Sequence, residues 1–287
     1  MANILVTGAN GQLGSELRKK GFSFLDEVFY TDRDELDITD YERVERFVKS
    51  REIDTIINCA AYTAVEKAED ESGQAVLLNV HGVANLAQVA KKENCLLIHL
   101  STDYVFDGKA TEPYTEKAVT GPLSVYGKTK RAGEEAILQS GCFYMIIRTS
   151  WLYSVTGNNF VRNILSLAKE RPEIQVVQDQ MGTPTYAGDL AAAIVAIMEN
   201  DERIEHEGIY HYSNDGECSW YDFATEIVRQ SGLDCKIQPI ATAAYPGKAV
   251  RPAYSVLDKS KIRKVFGVTV PDWKEALGRM LKEMQSF

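Results

Sequence analysis

The regular alternation of apolar runs with amphipathic stretches through the first 150 residues constrains this chain more than any other feature. Runs at 3–7, 27–31, 55–60 (TIINCA), 96–101 (LLIHLS) and 144–149 (YMIIRT) read as strands. The stretches at 15–20, 41–51, 71–94 and 124–139 that separate them read as helices. Strands that are continuously apolar are buried on both faces, and a return through a helix makes neighbouring strands parallel. The pattern predicts an α/β fold with a doubly wound parallel sheet, which places ligands at the carboxyl ends of its strands. After Trp151 the pattern loosens. Helices at 159–170, 186–200, 220–231 and 273–283, with short strands near 174–178 and 208–213, predict a smaller mixed α/β unit over the sheet's carboxyl edge.

At 287 residues, 45% hydrophobic and 25% charged, the chain can bury a sizeable core. Its net charge of −9 is the wrong sign for a general nucleic-acid or anionic-membrane footprint, so neither partner is expected. No apolar run approaches the roughly 20 residues of a bilayer span. The start, Met1-Ala2-Asn3-Ile4-Leu5-Val6, lacks the basic residues and cleavage site of a leader and reads as a buried strand. Five cysteines, an odd number without a C-x-x-C pair, argue against a disulfide framework or zinc site and fit a reducing cytoplasm.

Gly8-x-x-Gly11-x-x-Gly14 follows the first strand and opens a helix. Glycines there allow a tight turn and close approach of a pyrophosphate to the helix N-terminus, with Asn10, Gln12 and Leu13 in the same turn. The fold is therefore expected to be of the Rossmann type. Residues 1–150 form the dinucleotide-binding domain, 186–215 return to it, and 151–287 mainly bind substrate. Asp32 ends the second strand and suits a ribose 2′-hydroxyl, favouring NADH. Arg33 beside it suits a 2′-phosphate, favouring NADPH, so the choice stays open. Asp37 and Ile38 border the adenine or simply precede a helix whose start also holds Asp40. Ala60 and Ala61, after the third strand, leave room for a cofactor or for a tight crossing of the chain.

Tyr126 and Lys130 are four apart on a predicted helix and share a face. An ammonium near a phenol favours the phenolate and lowers its pKa from about 10. Tyr126 then donates a proton to a carbonyl oxygen as hydride reaches the carbon. Lys130 also holds the nicotinamide ribose, and Thr102 hydrogen-bonds the same carbonyl oxygen. His81, His99, His206 and His211 are scattered, without ligand or triad spacing, and read as structural. No G-x-S-x-G or H-E-x-x-H motif occurs.

TGANGQLG at 7–14, LDITD at 36–40, NCAAYTAVEKAE at 58–69, STDYVFDG at 101–108, RTSWLY at 148–153, GNNF at 157–160, DQMGTPT at 179–185 and Arg251-Pro252 run nearly end to end. Together they resemble the extended short-chain dehydrogenases/reductases, and within them the dTDP-4-dehydrorhamnose reductase family. The resemblance implies reduction of the C4 ketone of dTDP-4-dehydro-L-rhamnose to dTDP-L-rhamnose by NADPH or NADH, with Thr102, Tyr126 and Lys130 in the roles above. It places Tyr62 and Thr63 beside the cofactor and Val65, Asp103, Tyr104 and Trp151 around the deoxysugar. Asn159 and Arg251 fall near the nucleotide diphosphate. On residue chemistry alone Trp151 suits a sugar ring or a domain-interface core, Asp103 a sugar hydroxyl or a loop cap, and Arg251 a phosphate or solvent. The resemblance also implies a Mg2+ ion held between two copies by Glu16, Asp189 and Glu283, against three ordinary surface acids, so monomer and homodimer both stay open. Two other readings compete: a nucleotide-sugar epimerase or dehydratase on the same scaffold, and a non-catalytic NAD(P)-binding regulatory subunit.

Overall fold

The computed structural model describes residues 2–23, 26–200 and 202–285. Five strands appear where the apolar runs lie: β1 (Asn3–Thr7), β2 (Glu27–Thr31), β3 (Thr55–Asn58), β4 (Leu96–Thr102) and β5 (Phe143–Thr149). They pair in parallel with a sixth strand, Gly208–His211, which lies beside β5. From that strand the order is β5, β4, β3, β1, β2. The chain leaves β1 in one direction to reach β2 and in the other to reach β3, so the switch point lies between β1 and β3. A crevice at this point is where open α/β sheets bind their ligands.

Alternate residues of each strand feed two cores. Ile4, Val6, Ile98, Met145 and Ile147 pack under Leu13 and Leu17 of the Gln12–Lys20 helix and under Leu190 and Ile194 of the Ala187–Met198 helix. Leu5, Ile56, Leu97 and Ile146 face Val44 and Val48 of the Tyr41–Ser50 helix and Val83 and Leu86 of the Val83–Glu93 helix. Burial on both faces is why these strands lack polar alternation. Residues 187–198 and 208–211 thus pack into the main sheet, whereas a separate core joins Tyr153, Val161, Phe223, Ile227, Trp273 and Leu277. Around that second core lie the helices Phe160–Glu170, Trp220–Ser231 and Trp273–Met284, and the parallel pair Glu173–Val177 with Lys236–Ile240.

Two segments depart from the pattern. The expected helix over 71–94 is broken into Ser72–Val76, a π-helical turn at Leu77–Gly82, and Val83–Glu93. A short helix, Val65–Ala68, precedes it. The π turn widens the helix locally, a feature that recurs at functional sites, and its Asn79 points into the site described next. No helix among the described residues is long and apolar enough to cross a membrane.

Candidate active site

The glycine turn sits at the switch point. Gly8 has φ +65°, and a Cβ there would lie 2.6 Å from the Ala60 nitrogen and 2.8 Å from the Cys59 carbonyl carbon. Only glycine gives both the left-handed conformation and that clearance. Gly11 caps the Gln12–Lys20 helix without a side-chain acceptor, so no side chain of its own occupies the positive end of the helix. The two residues after β2 are held differently. Asp32 accepts from the Asn10 N–H at 3.0 Å and the Arg33 N–H at 2.7 Å. The Arg33 side chain is 80% exposed, and its Nε lies 3.6 Å from Asp37. Asp37 accepts from the N–H and hydroxyl of Thr39 at 2.9 and 2.7 Å. Burial opposes the Asp37 carboxylate, yet these bonds and the nearby Arg33 and Arg43 hold its pKa below the usual value. Asp40, not Asp37, caps the Tyr41–Ser50 helix. Ile38 is buried in the sheet core.

The loop after β3 is tied down by a residue that spacing did not single out. Asn79, fully buried, accepts from the Tyr62 N–H at 2.8 Å and donates to the Tyr62 carbonyl and the Thr129 hydroxyl, both at 3.1 Å. It thereby clamps residues 60–63 to the helix carrying Tyr126 and Lys130. Tyr62 donates its hydroxyl proton to Glu71 at 2.5 Å, and Thr63 is exposed.

That helix, Val125–Ser140, starts with Ser124 as N-cap, accepting from the Gly127 N–H at 3.1 Å. A Cβ on Gly127 would meet the Tyr104 carbonyl oxygen at 2.3 Å, so the glycine lets the helix lie directly against the end of β4. The result brings Tyr126 edge-on to Tyr104, 5.5 Å between centroids, and within hydrogen-bonding influence of Thr102. Deeper in the sheet, Glu134 of the same helix is buried against Arg148 of β5 at 2.7 Å and accepts from Ser101 at 2.6 Å. This anchors the helix on two strands.

The electrostatics differ from the expectation of a phenol activated by a neighbouring ammonium. Burial pushes the Tyr126 phenol up to about 12, the Asp103 carboxylate adds to the rise, and only the Thr102 hydroxyl opposes it. Lys130 does not contribute, because its amine turns inward: it donates to the Leu100 carbonyl at 2.6 Å and lies 3.3 Å from His99 Nε2. Burial brings Lys130 down to about 8, outweighing Glu134 and Cys59. At neutral pH the phenol keeps its proton, as a free tyrosine does, and the raised pKa by itself makes it a weaker acid.

Around this pair, Thr102 donates to Asp103 Oδ1 at 3.0 Å and accepts from the Tyr104 N–H at 3.2 Å. Asp103 Oδ2 is buried without an aligned hydrogen bond. Burial raises that carboxyl to about 6, tempered by the Ser255 and Thr102 hydroxyls and local N–H groups. Trp151 follows β5 with φ +47°, a rare conformation for a bulky residue. Its ring stacks on Trp220, 3.5 Å between centroids and 9° from parallel. Trp220 carried no sequence signal. Val65 begins the Val65–Ala68 helix and is half-buried. The next residue, Glu66, binds Arg251 at 2.7 Å, and Lys248 N–H donates to it at 2.8 Å. Arg251 Nε is buried without a partner. Beside this strap lies a cleft of about 350 Å³, bordered by Glu66, Asp70 and Tyr245.

Two expectations meet a different arrangement. Asn159 spends its side chain internally: it caps the Phe160–Glu170 helix through Arg162 N–H, and donates to Gln12 Oε1 at 3.0 Å and the Ser154 carbonyl at 2.9 Å. It joins the glycine turn to the second core. The proposed metal acids are also engaged. Glu16 accepts from Ser154 at 3.1 Å, Asp189 from Arg279 at 2.6 Å and Asn214 at 2.7 Å, and Glu283 from Tyr186 at 3.0 Å, with Lys19 beside it. Among the described residues no group of three His, Cys, Asp or Glu is placed to hold a metal ion. Local hydroxyl, amide and cationic partners occupy the Mg2+ ligands expected from the resemblance.

A phenol kept protonated beside a hydroxyl, at the mouth of a parallel sheet whose switch point carries a glycine turn, is the architecture of the extended short-chain dehydrogenases/reductases. Within that class the chain belongs to the family described as RmlD substrate binding domain, which it matches over residues 1–286, and it is an oxidoreductase. It is 44% identical over 290 residues to the dTDP-4-dehydrorhamnose reductase of Aggregatibacter actinomycetemcomitans, covering 96% of this chain and 97% of that one. It is 41% identical over 286 residues to the spore coat polysaccharide biosynthesis protein SpsK of Bacillus subtilis (strain 168), covering 100% and 99%. The solved structure of dTDP-4-dehydrorhamnose reductase from Bacillus anthracis in complex with NADP is similar at a TM-score of 0.94 and 38% identity, covering 99% of this chain and 100% of that one.

Proposed function

We propose that the chain reduces the C4 ketone of dTDP-4-dehydro-L-rhamnose to dTDP-L-rhamnose, with Tyr126 as the proton donor. The observation that carries this reading is the placement of the half-buried Tyr126 ring edge-on to Tyr104, beside Thr102 at the end of β4. In a reduction the oxygen that receives a proton is the carbonyl's. Thr102 fixes that oxygen by a hydrogen bond, and Tyr126 releases its proton to it.

The residues fit a dinucleotide. Gly8 leaves a cradle that a Cβ would fill, and the adjoining helix N-terminus offers uncapped N–H groups to a diphosphate. Gly8, Asn10, Gly11, Gln12 and Leu13 would line it, with Ala60, Ala61, Tyr62 and Thr63 on the opposite wall. Bound NADPH or NADH supplies the hydride. Asp32 is turned to backbone N–H groups while the Arg33 guanidinium is left outward. This favours NADPH, because a guanidinium pairs a 2′-phosphate. Lys130 holds the ribose once its amine is released from Leu100.

On the sugar side, Asp103 offers a carboxyl oxygen without an aligned partner, and Tyr104, Val65 and Trp151 supply apolar walls. The free Nε of Arg251 is a donor suited to the diphosphate. We assign residues 1–150, with 186–215, to the cofactor and most of 151–287 to the substrate. A cytoplasmic setting fits the five free thiols. The test is to supply dTDP-4-dehydro-6-deoxyhexose with its epimerase and follow NADPH and NADH consumption separately. Stoichiometric oxidation, faster with NADPH, is expected. Turnover without net oxidation would replace this reading with an epimerase or dehydratase, and no turnover at all would point to a binding subunit.

A further inference from the structure

We propose that Trp220 is a positioning residue that fixes the plane of the Trp151 indole for the sugar end of the substrate, a role that rests on the reading of Trp151 as a wall of that site. The two indoles lie 3.5 Å apart between centroids and 9° from parallel. Carbon layers pack no closer than about 3.5 Å, so the rings sit directly one over the other and Trp220 closes one face of Trp151. Gly182 blocks a second direction: a Cβ there would meet Cε2 and Cζ2 of the indole at 2.6 Å and Nε1 at 2.8 Å. Trp151 is half-buried, and what these two residues leave open is the surface it can offer a ligand.

Both contacts grow from one two-residue ladder. Gly182 pairs with Cys218, and Met181 with Ser219, in antiparallel register. Trp220 follows directly as the first residue of its helix, whose entry is locked by a capping box. The Ser219 hydroxyl accepts from the Asp222 N–H at 3.0 Å, and the Ser219 N–H donates to the Asp222 carboxylate at 2.9 Å. Phe160 backs Trp220 at 4.6 Å between centroids. The same ladder reaches the end of β4. Met181 N–H donates to the Ala253 carbonyl at 2.7 Å, Ser255 N–H donates to the Met181 carbonyl at 2.8 Å, and the Ser255 hydroxyl bonds Asp103. Thr149, two residues before Trp151, pairs with Thr102. Trp151 is thus tied, through its own strand and through the residue against its ring, to the strand end that carries Thr102 and Asp103.

Two local penalties meet at Trp151. Its φ of +47° is rare for a bulky side chain, and full face-to-face overlap is less favourable than an offset or edge-on pair. A side chain that only filled the second core would need neither. Such outliers persist where the surroundings over-determine them, and they cluster at ligand clamps. Here the Thr185 N–H donates to the Trp151 carbonyl at 3.2 Å and the Ser150 hydroxyl to the Thr183 carbonyl at 2.7 Å. These bonds hold the backbone, and Trp220 supplies the restraint on the ring.

The stack is read without ligand. Two overlaid indoles give an exciton couplet in ultraviolet circular dichroism, which Trp151→Phe and Trp220→Phe should each abolish; a couplet that survives either change overturns the proposal. The sugar role is read by calorimetric titration of dTDP and dTDP-L-rhamnose into protein saturated with NADPH, where cofactor and sugar are both reduced and cannot react. The ratio of the two affinities isolates the sugar. Wild type should favour dTDP-L-rhamnose by about tenfold or more, the scale of a few apolar contacts in a pocket. Equal affinities in wild type would remove the deoxysugar reading, and this role with it. Trp220→Leu should lose most of that ratio while binding dTDP as wild type does. Trp220→Phe still lays a ring on Trp151 and should keep the ratio to within about twofold. Gly182→Ala should push the indole aside and lose the ratio as Trp220→Leu does, and it decides in place of Trp220→Leu if that variant does not fold. With the wild-type ratio present, three results overturn the proposal: an unchanged ratio in Trp220→Leu, an equal weakening of dTDP, or Trp220→Phe as impaired as Trp220→Leu.

Discussion

Asn79→Ala probes the clamp between the loop after β3 and the catalytic helix. The substitution removes the acceptor of the Tyr62 N–H and the donor to the Tyr62 carbonyl. The Thr129 hydroxyl also loses Asn79, but it keeps its bond to the Tyr126 carbonyl at 3.0 Å. A buried backbone group left unpaired costs about 1–3 kcal/mol. Tyr62 is half-buried and water reaches part of it, so we take the low end for each group and expect about 2–3 kcal/mol in all. Part of that loss should reappear in cofactor binding, because residues 60–63 must then be ordered by the ligand. A Kd weakened about 10- to 100-fold corresponds to about 1.4–2.8 kcal/mol. Urea unfolding and a fluorescence titration with NADPH measure the two effects. Asn79→Asp sharpens the test: it keeps an acceptor for Tyr62 N–H but removes both donors and buries a charge. It should be at least as damaging as alanine. Wild-type stability and cofactor affinity in Asn79→Ala, or a harmless Asn79→Asp, would refute the clamp.

Gly8→Ala should lose about 2–4 kcal/mol from its left-handed backbone and its clash with Ala60, together with measurable NADPH binding; a variant that binds normally would contradict the cradle. Asp103→Asn tests the buried carboxyl through pH. The folded pKa of about 6 lies above the unfolded value, so the proton is held more tightly in the folded state. The stabilisation is complete below about pH 4 and is lost as pH rises through 6, amounting to about 2–3 kcal/mol. The asparagine variant should therefore be more stable than wild type at pH 7.5 by about that amount and nearly equal to it at pH 4, and equal stability at both would remove the argument.

The sheet was readable because its signal is local. Continuous apolar runs and the helices between them place β1 to β5 within one or two residues of their observed limits, and the Gly8 turn follows from its position after a strand. What could not be read depends on contacts between distant segments. The π turn that aims Asn79 leaves no periodic mark, since it is one extra residue accommodated by packing against the Val125–Ser140 helix. Trp220 becomes visible only when the second core stacks it on Trp151. Four-residue spacing correctly puts Tyr126 and Lys130 on one face, yet it says nothing about where a long side chain ends. Leu100 and His99 draw the amine inward, and burial then raises the phenol that an ammonium was expected to lower. The family resemblance points to Arg251 and Asn159, and spacing gives no hint of Glu66 or Gln12 as their partners.

The proposed reduction requires the Tyr126 proton to reach a substrate oxygen. Its most direct test is Tyr126→Phe assayed by oxidation of NADPH against dTDP-4-dehydro-L-rhamnose, with cofactor affinity measured alongside. The phenyl ring keeps the packing against Tyr104 and removes only the hydroxyl. Turnover should fall by about 10²–10⁴-fold, the usual worth of a positioned acid, while NADPH binds as in wild type. Turnover at the wild-type rate would contradict the assignment of Tyr126 as the proton donor.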